Sequence, residues 1–419
     1  MKIAVLTLGC KVNKYESDVI SHDLEENGHE VFDNLVKADV YIINTCAVTS
    51  EAEKKSRQMI AKCKKLNPNA KILVCGCASQ NNFKQFEDKN INFVSGTAKK
   101  FGLTNIIEKI HNNKMTYTKN ISDLPLKYEA SSFAKQTRTR AYIKIQDGCN
   151  NFCSYCIIPY LRGRSRSRDL NSILEEAKAL PNEIKEIVLT GINVTDYKIN
   201  NEKGLIILLE KLDKLGKRLR LSSMEETLVD EDFIKRLSLL KNFCPHFHLS
   251  LQSGSLDVLK KMNRKYTPAE FLNSVKLIRK YFPTAGITTD VIVGFPTETD
   301  ENFEESCDFI KDVAFSGLHI FQYSKREGTV ASKLKDLSAD VKKQRSKVLE
   351  TIDLQLRENF IKNNKTAKVL IEEKVENFYV GYSENYIKCY IKANDDIINQ
   401  VVNVKIVKPY IDGAVCELI

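Results

Sequence analysis

The sequence contains no apolar run near the roughly 18 to 20 residues that a membrane-spanning helix needs. It also has no low-complexity tract and no repeat of fixed period. Apolar residues make up 42% and charged residues 28% of the chain, which is typical of soluble globular proteins. Collagen-like, wholly disordered and membrane-spanning proteins are therefore excluded. At about 150 residues per domain, 419 residues suffice for two to four domains.

Cysteine is too sparse for a disulfide-stabilised scaffold, because only twelve cysteines are spread over the whole chain. The first ten residues, MKIAVLTLGC, have the outline of a lipoprotein signal, but their apolar segment is too short for one. We therefore expect a cytoplasmic protein, in which thiols stay reduced. In that setting the cysteines predict metal binding or catalysis rather than disulfides.

Positive charge exceeds negative charge only mildly, with 64 lysines and arginines against 54 acidic residues and a net charge of +10. Residues 135–168 hold most of this surplus. Within them Arg162, Arg164, Arg166 and Arg168 recur at every second position, so an extended segment would point all four to one face. This pattern predicts either a solvated basic face or a surface that binds phosphate groups.

The apolar pattern predicts an α/β fold in the first three quarters of the chain. Residues 1–111 alternate helix-like stretches with three short apolar runs, at 3–8, 40–43 and 72–74, which indicates a parallel sheet flanked by helices. Residues 112–135 are predicted to be a linker. Between 136 and 362 each of six candidate strands is followed by a helix-length segment, which predicts a partial barrel of six βα units. The six strands are expected at 142–146, 186–189, 218–221, 247–251, 287–293 and 318–323.

The last part of the chain, 363–419, has five short apolar runs bounded by turn residues and no helical period. The runs lie at 367–371, 378–382, 386–391, 401–407 and 414–418. They predict a small all-β barrel or sandwich.

Cys149, Cys153 and Cys156 form a CxxxCxxC triplet in a loop rich in glycine and asparagine, directly after a candidate strand. A structural zinc ion usually has four protein ligands, and this loop offers three. An iron–sulfur cluster held by three cysteines keeps one iron open to a substrate or cofactor. A zinc site with a distant fourth ligand and ordinary core cysteines are the alternatives.

Cys10, Cys46 and Cys77 form a second set, since each follows a candidate strand of the first sheet. The carboxyl ends of parallel strands meet at the edge where open α/β sheets bind ligands. Cys75 continues its apolar strand and is expected to pack in the core, so Cys77 is preferred as the third member. Burial of all three as core cysteines is the alternative.

The CxxxCxxC spacing resembles that of the radical S-adenosylmethionine (SAM) enzymes. Longer phrases, among them LGCKVNKYES, INTCAVTSEAEKKSRQ, CGCASQ, IQDGCNNFCSYCIIPYLRGRSRSR, LSLQSGSLDVLKKMNRKYT, TDVIVGFPTET and YSKREGT, resemble the methylthiotransferases of that superfamily over nearly the whole chain. This resemblance implies two 4Fe–4S clusters. Cys149, Cys153 and Cys156 would hold the cluster that cleaves SAM to a radical, and Cys10, Cys46 and Cys77 an auxiliary cluster that carries the sulfur.

The resemblance further implies SAM contacts from Thr190 and Gly191, with Gln252 and Ser253 as further candidates. It makes the C-terminal segment similar to the TRAM module, which binds RNA, and it suggests that Arg162, Arg164, Arg166 and Arg168 face the tRNA. No acid–base residue is assigned, because the adjacent Glu225 and Glu226 are expected on different faces. At position 297 the chain has threonine where the family commonly has glycine, which leaves that turn's conformation open.

Within the family, the chain most resembles the branch that methylthiolates C2 of N6-threonylcarbamoyladenosine, at position 37 beside the anticodon of tRNAs reading codons that begin with A. This branch uses one SAM as methyl donor and another as radical source. The expected partners are the tRNA anticodon stem-loop and an unidentified electron donor, without a membrane, and the enzyme is expected to be a monomer. The alternatives are a methylthiotransferase of isopentenyladenosine tRNA or of a ribosomal-protein aspartate, and an RNA-binding protein with structural or redox-sensing clusters.

Overall fold

A computed structural model of the chain describes residues 1–87, 91–98, 100–112, 118–120, 124–129, 131–134, 136 and 139–419. The chain divides into two compact units. The first unit comprises Met1–Gln136, Gln146–Arg168 and Ser324–Thr329, and the second comprises Thr137–Ile145, Asp169–Tyr323 and Val330–Ile419. The segment that carries Cys149, Cys153 and Cys156 thus belongs to the first unit, while the strands before and after it belong to the second.

A six-stranded parallel sheet with the order β2-β1-β3-β4-β5-β6 forms the centre of the first unit. All six residues of the central strand β3 are buried, as expected for a parallel strand with helices on both faces. The strands are β1 (Lys2–Thr7), β2 (Glu30–Phe32), β3 (Val40–Thr45), β4 (Lys71–Gly76), β5 (Phe93–Ser95) and β6 (Thr118–Asn120). The helices are α1 (Lys11–Glu26), α2 (Ser50–Leu66), α3 (Cys77–Asn81) and α4 (Thr104–His111), with a 3₁₀ turn at Phe83–Phe86.

The predicted sheet of the first unit is confirmed, and its three predicted strands correspond to β1, β3 and β4. The strands β2, β5 and β6 were not predicted, because three residues are too few to show an apolar period. Strand β6 lies inside the predicted linker 112–135. Residues 113–117, 121–123, 130 and 135 of that range lie outside the described residues, and the predicted domain boundaries stay predictions.

The central part of the chain alternates strands and helices. Its elements are β7 (Arg140–Lys144), β8 (Gln146–Asp147), α5 (Ile158–Arg162), β9 (Arg166–Ser167), α6 (Leu170–Ala179), β10 (Glu186–Thr190), β11 (Lys198–Ile199), β12 (Glu202–Lys203), α7 (Leu205–Asp213), β13 (Arg218–Leu221), α8 (Glu231–Ser238), β14 (His246–His248), α9 (Leu256–Lys261), α10 (Pro268–Tyr281), β15 (Gly286–Val293), α11 (Asp300–Val313), β16 (Gly317–Gln322) and α12 (Ala339–Asn363). Further 3₁₀ turns lie at Val194–Asp196, Glu226–Leu228 and Ala331–Lys333.

The six predicted strands of this part form a partial barrel in the second unit. Two parallel sheets, β7-β10-β13 and β14-β15-β16, are joined by single bridges from Leu219 to Phe243 and from Met224 to Leu249. Alternate strand residues, such as Ile187, Leu219 and Phe247, enter one large apolar core under the helices. Because side chains alternate along a strand, the intervening residues lie on the inner face of the barrel. Many of these inner residues are polar.

Five strands at the C-terminal end close into a small barrel, as predicted. They are β17 (Thr366–Val375), β18 (Phe378–Ser383), β19 (Lys388–Ile391), β20 (Val401–Tyr410) and β21 (Gly413–Leu418), in the order β17-β18-β19-β21-β20. The α/β fold class with a C-terminal all-β barrel is therefore confirmed. Among the described helices, none is long and apolar enough to cross a membrane.

Buried charges of the second unit join the small barrel to the partial barrel. Glu186 of β10 pairs with Arg220 (2.7 Å) and Arg218 (3.0 Å), while Arg220 donates to the carbonyl oxygens of Ser383 (3.0 Å) and Glu384 (3.1 Å). Burial raises the pKa of Glu186, but the arginines outweigh it and lower this pKa to about 2. The glutamate thus stays ionised and holds the arginine that binds the barrel's backbone.

Candidate functional site

Cys10, Cys46 and Cys77 lie at the same edge of the first sheet, as the sequence predicts. Cys10 is the N-cap of α1 after β1, Cys46 directly follows β3, and Cys77 is the first residue of α3 after β4. Because β1, β3 and β4 are neighbours and run parallel, their carboxyl ends bring the three residues together. The three strand-to-helix connections thus build one thiol-lined edge.

The electrostatics of Cys46 show that the three thiols are close. Burial raises the pKa of Cys46 to about 12, a hydrogen bond from the backbone of Val48 opposes this, and the thiols of Cys77 and Cys10 raise it further. Arg162 acts in the opposite direction. Burial therefore makes the Cys46 thiol hard to deprotonate, and a bound cation would favour its thiolate form.

Two glycines make this close approach possible. Gly9 has φ +104°, and a Cβ atom added to it would lie 2.8 Å from both the Cβ and the Sγ of Cys46. Gly76 has φ +108°, and a Cβ atom there would lie 2.5 Å from the carbonyl oxygen of Thr45. Any larger residue at either position would push the cysteine loops apart.

The structure also separates Cys75 from Cys77. Cys75 lies within β4 and packs in the apolar cluster on one side of the sheet, with Leu73 and Phe93. Cys77 lies past the end of the strand and faces the other thiols. This placement agrees with the preference for Cys77, and its role as a ligand stays a prediction.

A buried polar network supports the edge of the sheet where the thiols lie. Asn13 of α1 donates through its side-chain nitrogen to the carbonyl oxygens of Leu8 (2.8 Å) and Thr45 (3.0 Å), which lie at the ends of β1 and β3. Its side-chain oxygen accepts a hydrogen bond from Arg162 at 2.7 Å. Asn13 thereby fixes two of the three cysteine connections to each other and to a guanidinium group.

Arg162 is the central charge of this network and is almost completely buried. Its guanidinium group contacts the carboxylates of Glu16 at 2.9 Å and Asp147 at 3.1 Å, and Glu16 also accepts from Lys100 at 2.5 Å. Burial alone would lower the pKa of Arg162, but Glu16, Cys77 and Asp147 hold it well above its ordinary value. Arg162 thus places a permanent positive charge beside Cys77, where an anionic group bound to the thiols would be favoured.

Asp147 carries the same network into the loop of the second cysteine triplet. Its carboxylate accepts from the backbone nitrogen of Gly148 at 2.8 Å and pairs with Arg166 at 3.1 Å. In the loop itself, the backbone nitrogen of Cys149 donates to the carbonyl oxygen of Gly163, and that of Cys156 donates to the carbonyl oxygen of Cys153. One buried cluster of charges therefore positions both cysteine sets within the first unit.

The prediction that Arg162, Arg164, Arg166 and Arg168 share one exposed face is wrong. Arg162 ends helix α5, and only Arg166 and Ser167 form a strand, so the segment is not extended throughout. Arg162, Arg166 and Arg168 are buried, with Glu16, Asp147 and the hydroxyl of Tyr15 among their partners. Arg164 is exposed and lies 4.4 Å from the ring centre of Phe152. It alone keeps the surface position that contact with RNA requires.

The donor sets fit iron–sulfur clusters better than single zinc ions. Tetrahedral zinc with Zn–S bonds of about 2.3 Å needs sulfurs about 3.8 Å apart. Among the described residues, which include all twelve cysteines, no three cysteine sulfurs lie within 4.8 Å of one another, and no disulfide is present. Each set offers three thiols where a structural zinc ion usually has four ligands, and a cluster held by three cysteines keeps one iron open.

The predicted SAM contacts lie at the carboxyl ends of two strands of the partial barrel. Thr190 is the last residue of β10 and is buried, with the partly exposed Gly191 after it. Gln252 and Ser253 lie four and five residues past the end of β14, and both are buried. Gln252 has a positive φ of 70°, a strained conformation that is frequent at functional sites. Their contact with SAM stays a prediction.

Two further polar groups at this edge were not predicted. The hydroxyl of Ser222, just past β13, and one carboxylate oxygen of Glu226 are buried without a hydrogen-bond partner in the part of the chain that the structure describes. Burial raises the pKa of Glu226 to about 7, and Glu225 adds to this effect. A buried carboxyl group that titrates near neutrality is suited to proton transfer. The adjacent glutamates in the sequence were the available signal, but only the fold shows that one is buried.

Family models match both parts of the chain that carry cysteine sets. The radical SAM superfamily matches residues 143–310, and the uncharacterized protein family UPF0004 matches residues 2–96. Among solved structures, the chain is similar in fold to the radical SAM methyltransferase TsrM of Kitasatospora setae, with a TM-score of 0.59 and 14% identity, covering 79% of this chain and 74% of that one. That structure holds cobalamin and a 4Fe–4S cluster.

Curated relatives extend over nearly the whole chain. The threonylcarbamoyladenosine tRNA methylthiotransferase MtaB of Bacillus subtilis is 39% identical over 98% of this chain and 95% of its own length. The MtaB of Aquifex aeolicus is 38% identical over 92% of this chain and 96% of its own length. A tRNA-2-methylthio-N6-dimethylallyladenosine synthase of Clostridium novyi is 35% identical over 96% of this chain and 93% of its own length.

These relatives confirm the predicted family, enzyme class and cofactors, which are 4Fe–4S clusters and SAM. The sequence pattern predicted the two cysteine sets and the partial barrel, and the resemblance predicted the family. The chain therefore belongs to the radical SAM tRNA methylthiotransferases.

Proposed function

We propose that this enzyme methylthiolates C2 of N6-threonylcarbamoyladenosine at position 37, beside the anticodon of tRNAs that read codons beginning with A. In this proposal it consumes two SAM molecules, one as methyl donor and one as radical source. The observation that carries the proposal is the pair of three-cysteine sets supported by one buried charge network in the first unit. A single set would suffice for SAM cleavage, whereas sulfur insertion needs a second cluster.

The chain's own residues divide the work. Cys149, Cys153 and Cys156 would hold one cluster, and Cys10, Cys46 and Cys77 the other; when bound, these clusters and SAM supply the radical and the sulfur. Thr190, Gly191, Gln252 and Ser253 would bind SAM at the carboxyl edge of the partial barrel. Through Asn13, Arg162 keeps the connections that carry Cys10 and Cys46 in place, and it brings a positive charge close to Cys77.

The relatives support the choice of base. The MtaB proteins of Bacillus subtilis and Aquifex aeolicus, at 39% and 38% identity, carry threonylcarbamoyladenosine in their names. The dimethylallyladenosine synthase of Clostridium novyi is 35% identical over a similar share of the chain. Isopentenyladenosine tRNA is therefore the second candidate substrate. The nucleosides of cellular tRNA distinguish the two candidates.

The test is mass spectrometry of tRNA nucleosides from a deletion strain of the source organism. We expect the methylthio form of threonylcarbamoyladenosine to vanish while methylthio-isopentenyladenosine persists. A plasmid with the wild-type gene should restore the missing nucleoside. Cys75→Ala should also restore it, because Cys75 lies in the core, whereas Cys77→Ala, two residues away, should not.

The opposite pattern, with only the isopentenyl form missing, would contradict the proposed base. Unchanged tRNA in the deletion strain would contradict a tRNA substrate altogether. An RNA-binding protein with structural or redox-sensing clusters is separated by a second assay, in which the anaerobically reconstituted enzyme receives dithionite and SAM. We expect 5′-deoxyadenosine to form, and none should form with Cys149→Ala.

A further inference from the structure

Three polar side chains from adjacent strands meet on the inner face of the partial barrel. His248 belongs to β14, Asp290 to β15 and His319 to β16, which run parallel in that order. His248 is paired in register with Thr288, and Asp290 with His319. Three rigid, hydrogen-bonded strands therefore hold the three side chains in place.

The ligand atoms of these residues converge on a small volume. One oxygen of Asp290 lies 3.3 Å from Nε2 of His248 and 3.2 Å from Nδ1 of His319, and the three ligand atoms all lie within 4.8 Å of one another. A tetrahedral ion with metal–ligand bonds of about 2.0 to 2.1 Å has ligand atoms about 3.3 Å apart. Both distances to Asp290 match that spacing.

Neighbouring groups prepare the site for a cation. The hydroxyl oxygen of Thr288 lies 2.9 Å from Nδ1 of His248, and 2.9 Å from Nε2 of His246. The contact at Nδ1 fixes the ring of His248 so that Nε2 points toward Asp290. Metal-bound histidines are commonly oriented in this way, by a hydrogen bond at the nitrogen that does not bind the metal.

The site is open on one side. The exposed fraction of the side chain rises from 8% in His248 through 26% in Asp290 to 53% in His319. His319 and Thr288 also line a cavity of about 270 Å³ whose other walls include Tyr382, Tyr386 and Arg357. A bound ion would thus keep positions that a small oxygen or nitrogen ligand can reach from the cavity.

We propose that His248, Asp290 and His319 bind one divalent transition metal ion of the zinc or ferrous type, with open positions toward this cavity. Two histidines and one carboxylate are a donor set that such ions favour over magnesium or calcium. The site is separate from the proposed cluster ligands. It does not depend on the identity of the modified base.

The test uses the anaerobically reconstituted enzyme and zinc ions as the probe. After gel filtration, elemental analysis should show one tightly bound zinc per chain with the iron content unchanged. X-ray absorption at the zinc edge should show nitrogen and oxygen neighbours at about 2.0 to 2.1 Å and no sulfur at about 2.3 Å. Asp290→Asn and His319→Ala should each lose this zinc.

Thr288→Val should still bind zinc but with an affinity weaker by about 10- to 100-fold, because the ring of His248 loses the hydrogen bond that orients it. His29→Ala, which removes an imidazole from the first unit, should leave zinc binding unchanged. Asp290→Asn keeps the size of the side chain, and unchanged iron content shows that each variant is folded. A zinc ion with sulfur neighbours, or one that persists in Asp290→Asn, would overturn the site. So would the absence of bound zinc, which would leave the three residues as a hydrogen-bonded ion pair.

Discussion

Arg162 shows how one side chain connects the chemistry of two cysteine sets. Its guanidinium group is buried between Glu16, Asp147 and Asn13, and the nearby Cys77 helps to hold the pKa of Arg162 above its ordinary value. A buried charge is tolerated only when its hydrogen bonds are satisfied, and arginine offers five donors in a fixed plane. The sequence shows four alternating arginines but does not show which of them will meet carboxylates.

The contrast between two arginines makes this role testable. We expect Arg162→Met to lower the free energy of unfolding by about 3 to 5 kcal/mol, because it leaves buried carboxylates without their partner. Arg164→Met, at an exposed position two residues away, should change it by less than about 0.5 kcal/mol. Thermal unfolding of the reconstituted proteins measures both.

The iron content of the same variants separates folding from cluster support. We expect Arg162→Met to bind less iron than Arg162→Lys, which keeps the charge but loses the planar set of donors. If Arg162→Met and Arg164→Met had equal free energies of unfolding, the buried charge network would not stabilise the fold, and the role assigned to Arg162 would be wrong.

The connection between β15 and α11 shows how a local element departs from its usual sequence. Thr297, where the family commonly has glycine, has φ +74°, a left-handed conformation that β-branched residues rarely adopt. The next helix is well started, because Thr299 is its N-cap and forms a capping box with Asn302. The turn therefore contains one strained residue, Thr297, and the capping box of the following helix stabilises the C-terminal end of the turn.

Two threonines in this turn should respond in opposite directions. We expect Thr297→Gly to raise the free energy of unfolding by about 0.5 to 1 kcal/mol, since the relief of strain exceeds the added entropy of the unfolded chain. Thr299→Ala should lower it by about 1 kcal/mol through loss of the cap. Differential scanning calorimetry of the two variants beside the parent gives both signs. A lower melting temperature for Thr297→Gly would show that the positive φ carries no strain.

At the scale of the whole molecule, the candidate site residues are divided between the two units. Both cysteine sets belong to the first unit, although one of them lies within the sequence matched by the radical SAM family. The candidate SAM contacts and the His248–Asp290–His319 site belong to the second unit. The chain therefore passes from the second unit to the first and back again around residues 146–168.

Counting iron tests whether the two cysteine sets are independent. We expect Cys149→Ala and Cys77→Ala each to retain about half of the parent's iron, because each removes a ligand from one of two four-iron sites. Cys75→Ala should retain all of it, since Cys75 packs in the core. Iron and sulfide analysis after anaerobic reconstitution measures this. Complete loss of iron in both Cys149→Ala and Cys77→Ala would contradict two independent sites.

The sequence alone determined the features that depend on local spacing. Periodic apolar residues predicted the first sheet, the six-strand partial barrel and the small C-terminal barrel. Strands and helices repeat about every 2 and 3.6 residues, so their patterns can be recognised from neighbouring residues. The positions of the cysteines relative to the predicted strands indicated the two candidate cluster sites for the same reason. Three short strands and the weak bridges between the two halves of the partial barrel left no such pattern.

Only the tertiary structure decided where charged and polar groups find partners. The burial of Arg162, Arg166 and Arg168 depends on contacts with residues such as Glu16, which is 146 positions from Arg162. His248 and His319 likewise meet at Asp290 only because three strands lie side by side. A buried charge is stabilised by the polar and charged groups around it in the fold. These groups come from distant parts of the chain, so the periodicity of neighbouring residues does not reveal them.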